Sequence, residues 1–120
     1  MKKDPSHKAL TGKIVQARAS VKAGHIAFVE QTVIAADLLN LGYEISDLPR
    51  ILLELLGQIT PDDYVGTSPP QRSYEKRIED FELYAFKCTS KLLGCTVYFK
   101  YALKNDFLWL VSIHEDRPDR

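Results

Sequence analysis

The chain has 120 residues, of which 45% are hydrophobic and 27% are charged, and its 16 basic and 16 acidic side chains give a formal net charge of zero. This size supports one domain, residues 1–120, around a single core. A neutral total excludes a protein that binds polyanions through its overall charge, so such binding would need a local basic surface. The N-terminus lacks the apolar stretch of a signal peptide, and no apolar run reaches the roughly 18 residues of a membrane span. We therefore expect a cytoplasmic protein without membrane contact.

The charges are unevenly distributed along the chain. Residues 30–63 contain seven acids and one basic residue, Arg50, whereas residues 84–104 contain four lysines and no acid. The lysine-rich segment can therefore provide a local basic surface. The two cysteines, Cys88 and Cys95, are too few for a disulfide framework and have no partners at metal-ligand spacing. We expect reduced thiols, no metal site and no cofactor.

Two amphipathic helices are predicted in the first third of the chain, after a basic N-terminal tail at residues 1–9. Apolar residues recur at helical spacing over about 11–23 and again over about 32–41. Gly24 and Gly42 follow these segments directly, where a glycine commonly ends a helix.

A third helix has the clearest pattern. Ser46 is its predicted cap, and Pro49 falls in the first turn, where proline is tolerated. Its apolar stripe consists of Leu48, Ile51, Leu52, Leu55 and Leu56.

Residues 60–80 form a long segment without a regular pattern. Two adjacent prolines exclude a helix or a central strand here, and we predict a long loop. Loops of this length in small domains are commonly functional or mobile, although a solvated connector is an equal alternative. Its basic residues are Arg72, Lys76 and Arg77.

Alternating apolar and polar residues predict three strands after residue 80. The segments are FELYAFKCTS, CTVYFKYALK and FLWLVSIHE, joined by turns near 92–94 and at Asn105 and Asp106. A charged tail, residues 116–120, follows. Helices followed by a three-stranded antiparallel sheet make an α+β domain, with the N-terminal helices packed on the C-terminal sheet.

The alternation also predicts which face each side chain occupies. In the middle strand the odd positions are apolar, which leaves Tyr98 and Lys100 on the open face. In the last strand Trp109 shares the odd, core-facing set, so Ser112 and His114 face the other way. A tight turn at residues 105 and 106 would mix the two faces, so we predict a longer loop or a β-bulge there. With the register restored, Tyr98 and His114 become cross-strand neighbours.

Such a face has the groups that metal-independent RNA cleavage requires. The reaction needs a base for the ribose 2′-hydroxyl, an acid for the leaving oxygen and cations near the phosphate. Histidine suits either proton role, so His114 and Tyr98 are the predicted catalytic residues. The predicted RNA-binding residues are Lys87, Lys100, Arg72, Lys76 and Arg77. Ordinary solvent-facing side chains, or catalysis on a small molecule, are the alternatives for the same face.

Five segments, taken in order, resemble the motility quorum-sensing regulator (MqsR) family of toxins over about residues 10–115. They are VKAGHI, AADLLNLGYEISDLPRILLEL, ITPDDYVGTS, GCTVYFKYAL and LWLVSIHED. The resemblance implies an α+β fold like that of RelE-type toxins and ribosome-independent cleavage of mRNA. It also implies inhibition of translation and growth, and neutralisation by a cognate antitoxin protein.

Individual positions follow the family pattern unevenly. Tyr98 and Lys100 match the family's strand tyrosine and lysine, whereas His114 occupies the place of a functional lysine and Gly66 that of a loop lysine. The resemblance therefore implies one of two functions. The chain is an endoribonuclease rebuilt around His114, or it is an inactive binding module that engages an antitoxin, a regulator or the ribosome.

Overall fold

The computed structural model describes residues 6–116, in which three helices cover one face of a four-stranded mixed sheet. The regular elements are α1 (His7–Lys22), β1 (Ile26–Phe28), α2 (Gln31–Asn40), α3 (Leu48–Gln58), β2 (Tyr84–Ser90), β3 (Cys95–Lys104) and β4 (Phe107–Glu115). The α+β class is confirmed. Residues 1–5 and 117–120 of the predicted tails lie outside the described residues.

Helix α1 begins four residues before the predicted start at Thr11. The hydroxyl of Ser6 accepts a hydrogen bond from the Ala9 amide at 3.0 Å, which caps the first turn. The first three residues of the helix, His7–Ala9, are exposed, so hydrophobic periodicity carries no signal there. The predicted end is confirmed within one residue, since Gly24 follows the helix with φ of +78°.

Helix α3 confirms the predicted stripe, because all five of its apolar residues are buried. The prediction for its cap was wrong. A 3₁₀ turn, Ile45–Asp47, precedes the helix, and the Asp47 carboxylate accepts from the Glu44 amide at 2.9 Å. The side-chain capping bonds are thus made within this turn, between Glu44 and Asp47, and the residue at the N-cap of α3, Asp47, forms no side-chain cap with the helix.

The sheet has one strand more than predicted. β1 pairs with β4 in parallel, and the strand order is β1-β4-β3-β2, so the expected three-stranded antiparallel sheet is the larger part of a mixed sheet. β1 contains only three residues, too few for an alternating pattern to be recognised. Its pairing is a contact between distant parts of the chain, which no local pattern indicates.

The predicted irregularity in the last hairpin is present. Asn105 and Asp106 form a two-residue turn with φ of +53° and +66°, as a type I′ turn requires, and Lys104 pairs with Phe107. The register then shifts between Lys100 and Tyr101, which leaves Val111 as an extra residue in β4. The tight turn and the bulge thus occur together.

The bulge reverses the predicted facing of the first half of β4. Leu108, Leu110 and Ile113 belong to the main core under the helices. Trp109 and Val111 pack on the opposite face, and Phe107 is 36% exposed. The assignment of all odd β4 residues to the helical side was therefore wrong before the bulge and right after it.

The segment 60–80 packs against the sheet and contains two short 3₁₀ turns, Pro61–Asp63 and Lys76–Ile78. Isolated bridges join Tyr64 to Phe86 and Arg72 to Glu82 along the outer edge of β2. The side chain of Ile78 is fully buried in a second hydrophobic cluster with Leu83, Ala102 and Trp109. This loop therefore covers one end of the sheet face that points away from the helices.

Among residues 6–116, no helix combines the length and the apolar character that crossing a bilayer requires.

Candidate functional site

Three side chains meet in one row across the uncovered end of the sheet. Tyr98 of β3 pairs with Lys87 of β2 on one side and with His114 of β4 on the other. The rings of Tyr98 and His114 stack with centroids 5.2 Å apart and an interplanar angle of 23°. We call Lys87, Tyr98 and His114 the site row. The predicted neighbourhood of Tyr98 and His114 is confirmed.

The bulge at Val111 is what places His114 in this row. Before the bulge, even-numbered β4 residues such as Leu110 face the helices, and an uninterrupted strand would have sent His114 into the core. The extra residue exchanges the faces, so the imidazole is exposed beside Tyr98.

The imidazole of His114 has one nitrogen engaged. Its Nδ1 lies 3.1 Å from the carbonyl oxygen of Glu115. When Nδ1 donates its proton to this carbonyl, Nε2 holds a lone pair and can accept a proton from a ligand. The contact therefore favours the tautomer that a general base needs.

The hydroxyl of Tyr98 keeps its proton at physiological pH. The side chain is partly buried, and this burial raises the pKa of Tyr98 above its ordinary value of 10.0. Removing a phenolate from water is unfavourable, so the neutral form persists at physiological pH. Tyr98 is thus a neutral donor beside an exposed imidazole.

Two lysines flank the aromatic pair. Lys87 Nζ lies 3.5 Å from the Asp116 carboxylate, but the two side chains are 44% and 33% exposed, so water screens this pair. Lys100 pairs with Ser112 in the next row of the same face. Among residues 6–116 its ammonium group forms no ion pair. Both cations can therefore attract a phosphate.

The basic residues of the loop lie at the other end of the sheet. Arg77 donates to the carbonyl of Phe28 at 3.3 Å, and Lys104 donates to the carbonyl of Arg77. Lys104 is six residues from Tyr98 in β3, which corresponds to about 20 Å along an extended strand. The structure does not bring Arg77 to the site row.

Arg72 and Lys76 share this remote position in the loop. The Arg72 guanidinium donates to the Asp80 carbonyl at 3.1 Å, and Lys76 is exposed. RNA binding by Arg72, Lys76 and Arg77 stays a prediction, as a second basic surface separate from the site row.

Gly66 leaves no room for a larger residue. A Cβ atom at this position would lie 2.6 Å from the hydroxyl oxygen of Tyr64, whose hydroxyl donates to the Thr67 carbonyl at 2.5 Å. A lysine here would require Tyr64 to move. The loop position that the family resemblance associates with a lysine is thus filled by a tyrosine ring.

Two acids near the site were not among the predicted residues. Asp116 lies two positions after His114, so strand periodicity alone indicates that it shares this face. Asp37 of α2 lines a cleft beside His114, and no local pattern links these distant positions. Among residues 6–116, no group of three or more histidine, cysteine or acidic side chains could hold a metal ion.

No protein-family model matches this chain, and none of the curated proteins compared with it is significantly similar.

Proposed function

We propose that this chain is the toxin of a bacterial type II toxin–antitoxin module and cleaves mRNA without a metal ion, which inhibits translation and growth. One observation carries the proposal: Tyr98 and His114 stack at 5.2 Å on an uncovered sheet face, with Lys87 and Lys100 beside them. An imidazole, a neutral phenol and two ammonium groups on one face supply each group that metal-independent phosphodiester cleavage needs.

In the proposed reaction His114 acts as the base and Tyr98 as the acid. Nε2 of His114 takes the proton of a ribose 2′-hydroxyl, whose oxygen attacks the adjacent phosphorus. The bond from phosphorus to the 5′-oxygen breaks, and the Tyr98 hydroxyl protonates this leaving oxygen. The products are a 2′,3′-cyclic phosphate and a 5′-hydroxyl. Lys87 and Lys100 stabilise the negative charge that grows on the phosphate oxygens.

The order of the five MqsR-like segments supports the same proposal and extends it to a RelE-like or MqsR-like variant of the α+β fold. It also makes a cytoplasmic location, mRNA as substrate and a cognate antitoxin protein as partner part of the proposal. The ribosome is a further candidate partner. The loop residues Arg72, Lys76 and Arg77 would then bind a part of the RNA that is distant from the bond that is cleaved.

The first test is cleavage of a defined RNA by the purified protein, free of antitoxin, in the presence of EDTA. We expect fragments with cyclic phosphate ends from the wild-type protein. Removing a positioned base or acid typically costs 10²–10⁴-fold in rate. His114→Ala and Tyr98→Phe should therefore each reduce the cleavage rate by about 100-fold or more, without lowering the melting temperature appreciably.

Matched variants of the same residue types control for general effects. His25→Ala removes a histidine that stacks on Phe107 at the opposite end of β4, and Tyr74→Phe alters a loop tyrosine that is 90% exposed. Both should cleave RNA at the wild-type rate. Equal activity of wild-type, His114→Ala and Tyr98→Phe proteins would show that the site row is not the catalytic site. Expression in bacteria should arrest growth with the same dependence on His114.

The alternative is an inactive module that binds an antitoxin, a regulator or the ribosome. The observation in its favour is Gly66, which stands where the family resemblance implies a lysine and where Tyr64 would have to move to admit one. RNA that remains intact with the pure wild-type protein would favour this alternative over the endoribonuclease.

A further inference from the structure

His114 borders a second feature besides the site row. A cleft of about 260 Å³ lies between the C-terminal end of α2 and the end of β4. Its lining consists of Asp37, Asn40, Leu41, His114 and Glu115. The cleft therefore adjoins the residue whose ring stacks on Tyr98.

Three residues that line the cleft lie at the C-terminal end of α2 or directly after it. Asp37, Asn40 and Leu41 are three and four positions apart, so they lie on the same side of the helix. Within residues 6–116, neither the Asp37 carboxylate nor the Asn40 amide forms a hydrogen bond or an ion pair inside the protein. Both polar groups are therefore available to a ligand, next to the apolar side chain of Leu41.

The charges around the cleft predict how a bound nucleotide would be oriented. The cleft contains the Asp37 carboxylate, which repels phosphate, whereas Lys87 and Lys100 lie on the open sheet face. A nucleotide at His114 would thus place its phosphate over the lysines and its uncharged base in the cleft. A carboxylate accepts hydrogen bonds from base amino groups, and an asparagine amide can both donate to and accept from a base edge.

We infer that this cleft binds the nucleobase next to the cleaved bond, with Asp37 and Asn40 selecting bases that carry an exocyclic amino group, namely adenine, cytosine or guanine, over uracil. The inference rests on the proposed endoribonuclease function and assigns its sequence preference to residues outside the site row. Asp37 is the acceptor for the amino group, Asn40 contacts the remaining polar edge, and Leu41 packs on the ring.

The test is to cleave RNA of random sequence and to sequence the fragment ends. We expect the wild-type protein to disfavour uracil at one position next to the cut by about tenfold, the size of discrimination that one good pair of hydrogen bonds provides. Asp37→Asn and Asn40→Ala should each reduce this preference to about threefold or less. Asp62→Asn, at a surface acid whose carboxylate lies 3.3 Å from His7, should keep the wild-type preference.

A binding experiment separates this inference from the proposed function. Isotope-labelled protein is titrated with AMP, CMP, GMP and UMP, and the side-chain resonances of Asn40 and His114 are followed. We expect shifts with AMP, CMP or GMP that are at least several-fold weaker with UMP and that Asp37→Asn abolishes. These shifts in a protein that cuts no RNA would overturn the proposed function and support the base site. Cleavage with an unchanged preference in Asp37→Asn, and no shifts, would overturn the base site alone.

Discussion

His114 and Trp109 are five positions apart in β4, and one extra residue between them, Val111, decides which face each occupies. Simple alternation assigns Trp109 to the helical side with Ile113. The bulge instead places it in the second cluster with Ile78 and Ala102. The face of His114 was predicted correctly because His114 alternates with Ile113, which is buried and lies on the same side of the bulge.

The ion pair between Lys87 and Asp116 is expected to limit RNA binding. Asp116→Asn keeps the shape of the side chain but frees the Lys87 ammonium group, which lies 3.5 Å from the carboxylate. We expect RNA to bind several-fold more tightly, with a salt dependence steeper by about one released counterion. The measurement is a binding isotherm at several salt concentrations. Both proteins also carry His114→Ala, so that the RNA stays intact.

Asp47→Asn is the matched control for that experiment. It changes the net charge equally and breaks a comparable pair with Arg50, also at 3.5 Å, at the start of α3. If both variants strengthen RNA binding to the same extent, the effect is one of net charge and Lys87 is not a phosphate contact.

The buried thiol of Cys88 makes stability depend on alkaline pH. Burial, with the nearby acids Asp63 and Glu54, raises the pKa of Cys88 from 9.0 to about 11. The unfolded chain therefore loses this proton at lower pH than the folded protein does. The stabilising contribution is complete below about pH 9 and is lost as the pH rises through about 11.

Urea unfolding of wild-type and Cys88→Ala proteins at pH 8 and at pH 10.5 measures this effect. The wild-type protein should lose more stability than Cys88→Ala between these two conditions, because alanine has no proton to lose. Parallel losses in the two proteins would assign the alkaline transition to other groups, such as Tyr84.

At the scale of elements, the β3–β4 hairpin combines a turn and a bulge. Both turn residues have positive φ, a conformation that asparagine and aspartate tolerate better than most residues and that glycine adopts freely. Side chains from the end of α1 and the residues after it also contact the turn. The carbonyl of Asp106 accepts a hydrogen bond from the Ser20 hydroxyl at 2.9 Å and lies 3.3 Å from Nδ1 of His25.

Substitution of Asp106 tests whether backbone conformation governs this turn. Both external contacts use its carbonyl, so they remain in every variant. Asp106→Ala should be less stable than Asp106→Gly by about 1 kcal/mol, the usual cost of a side chain in the left-handed region. Thermal or urea unfolding gives the difference. Equal stability of the alanine and glycine variants would mean that the turn has relaxed to another conformation.

At the scale of the whole molecule, residues 6–116 form two hydrophobic clusters, one on each face of the sheet. The main core lies between the helices and the sheet, and the smaller cluster lies under the loop 60–80. The loop covers the end of the face that contains Ala102 and leaves the end with Tyr98 and His114 open. This division explains why a polar site occupies only part of the face.

The burial of Ile78 is expected to hold the loop in place. Ile78→Ala removes a side chain that is 0% exposed and should lower the free energy of unfolding by about 2 kcal/mol or more. Val65→Ala, in the same loop but at a residue that is 46% exposed, should change stability by less than about 0.5 kcal/mol. Urea unfolding measures both, and equal effects would contradict a packed loop.

Local patterns determined the α3 stripe, the three long strands and the Tyr98–His114 contact. Helical and strand periodicities follow from burial of one face, so apolar residues such as Ile51 and Phe99 report it directly. Only the tertiary structure decided that β1 joins β4, that the loop covers Ala102 and that Asp37 lies beside His114. These contacts join residues far apart in sequence, where pairing depends on the geometry of the whole fold and leaves no periodic trace in either segment.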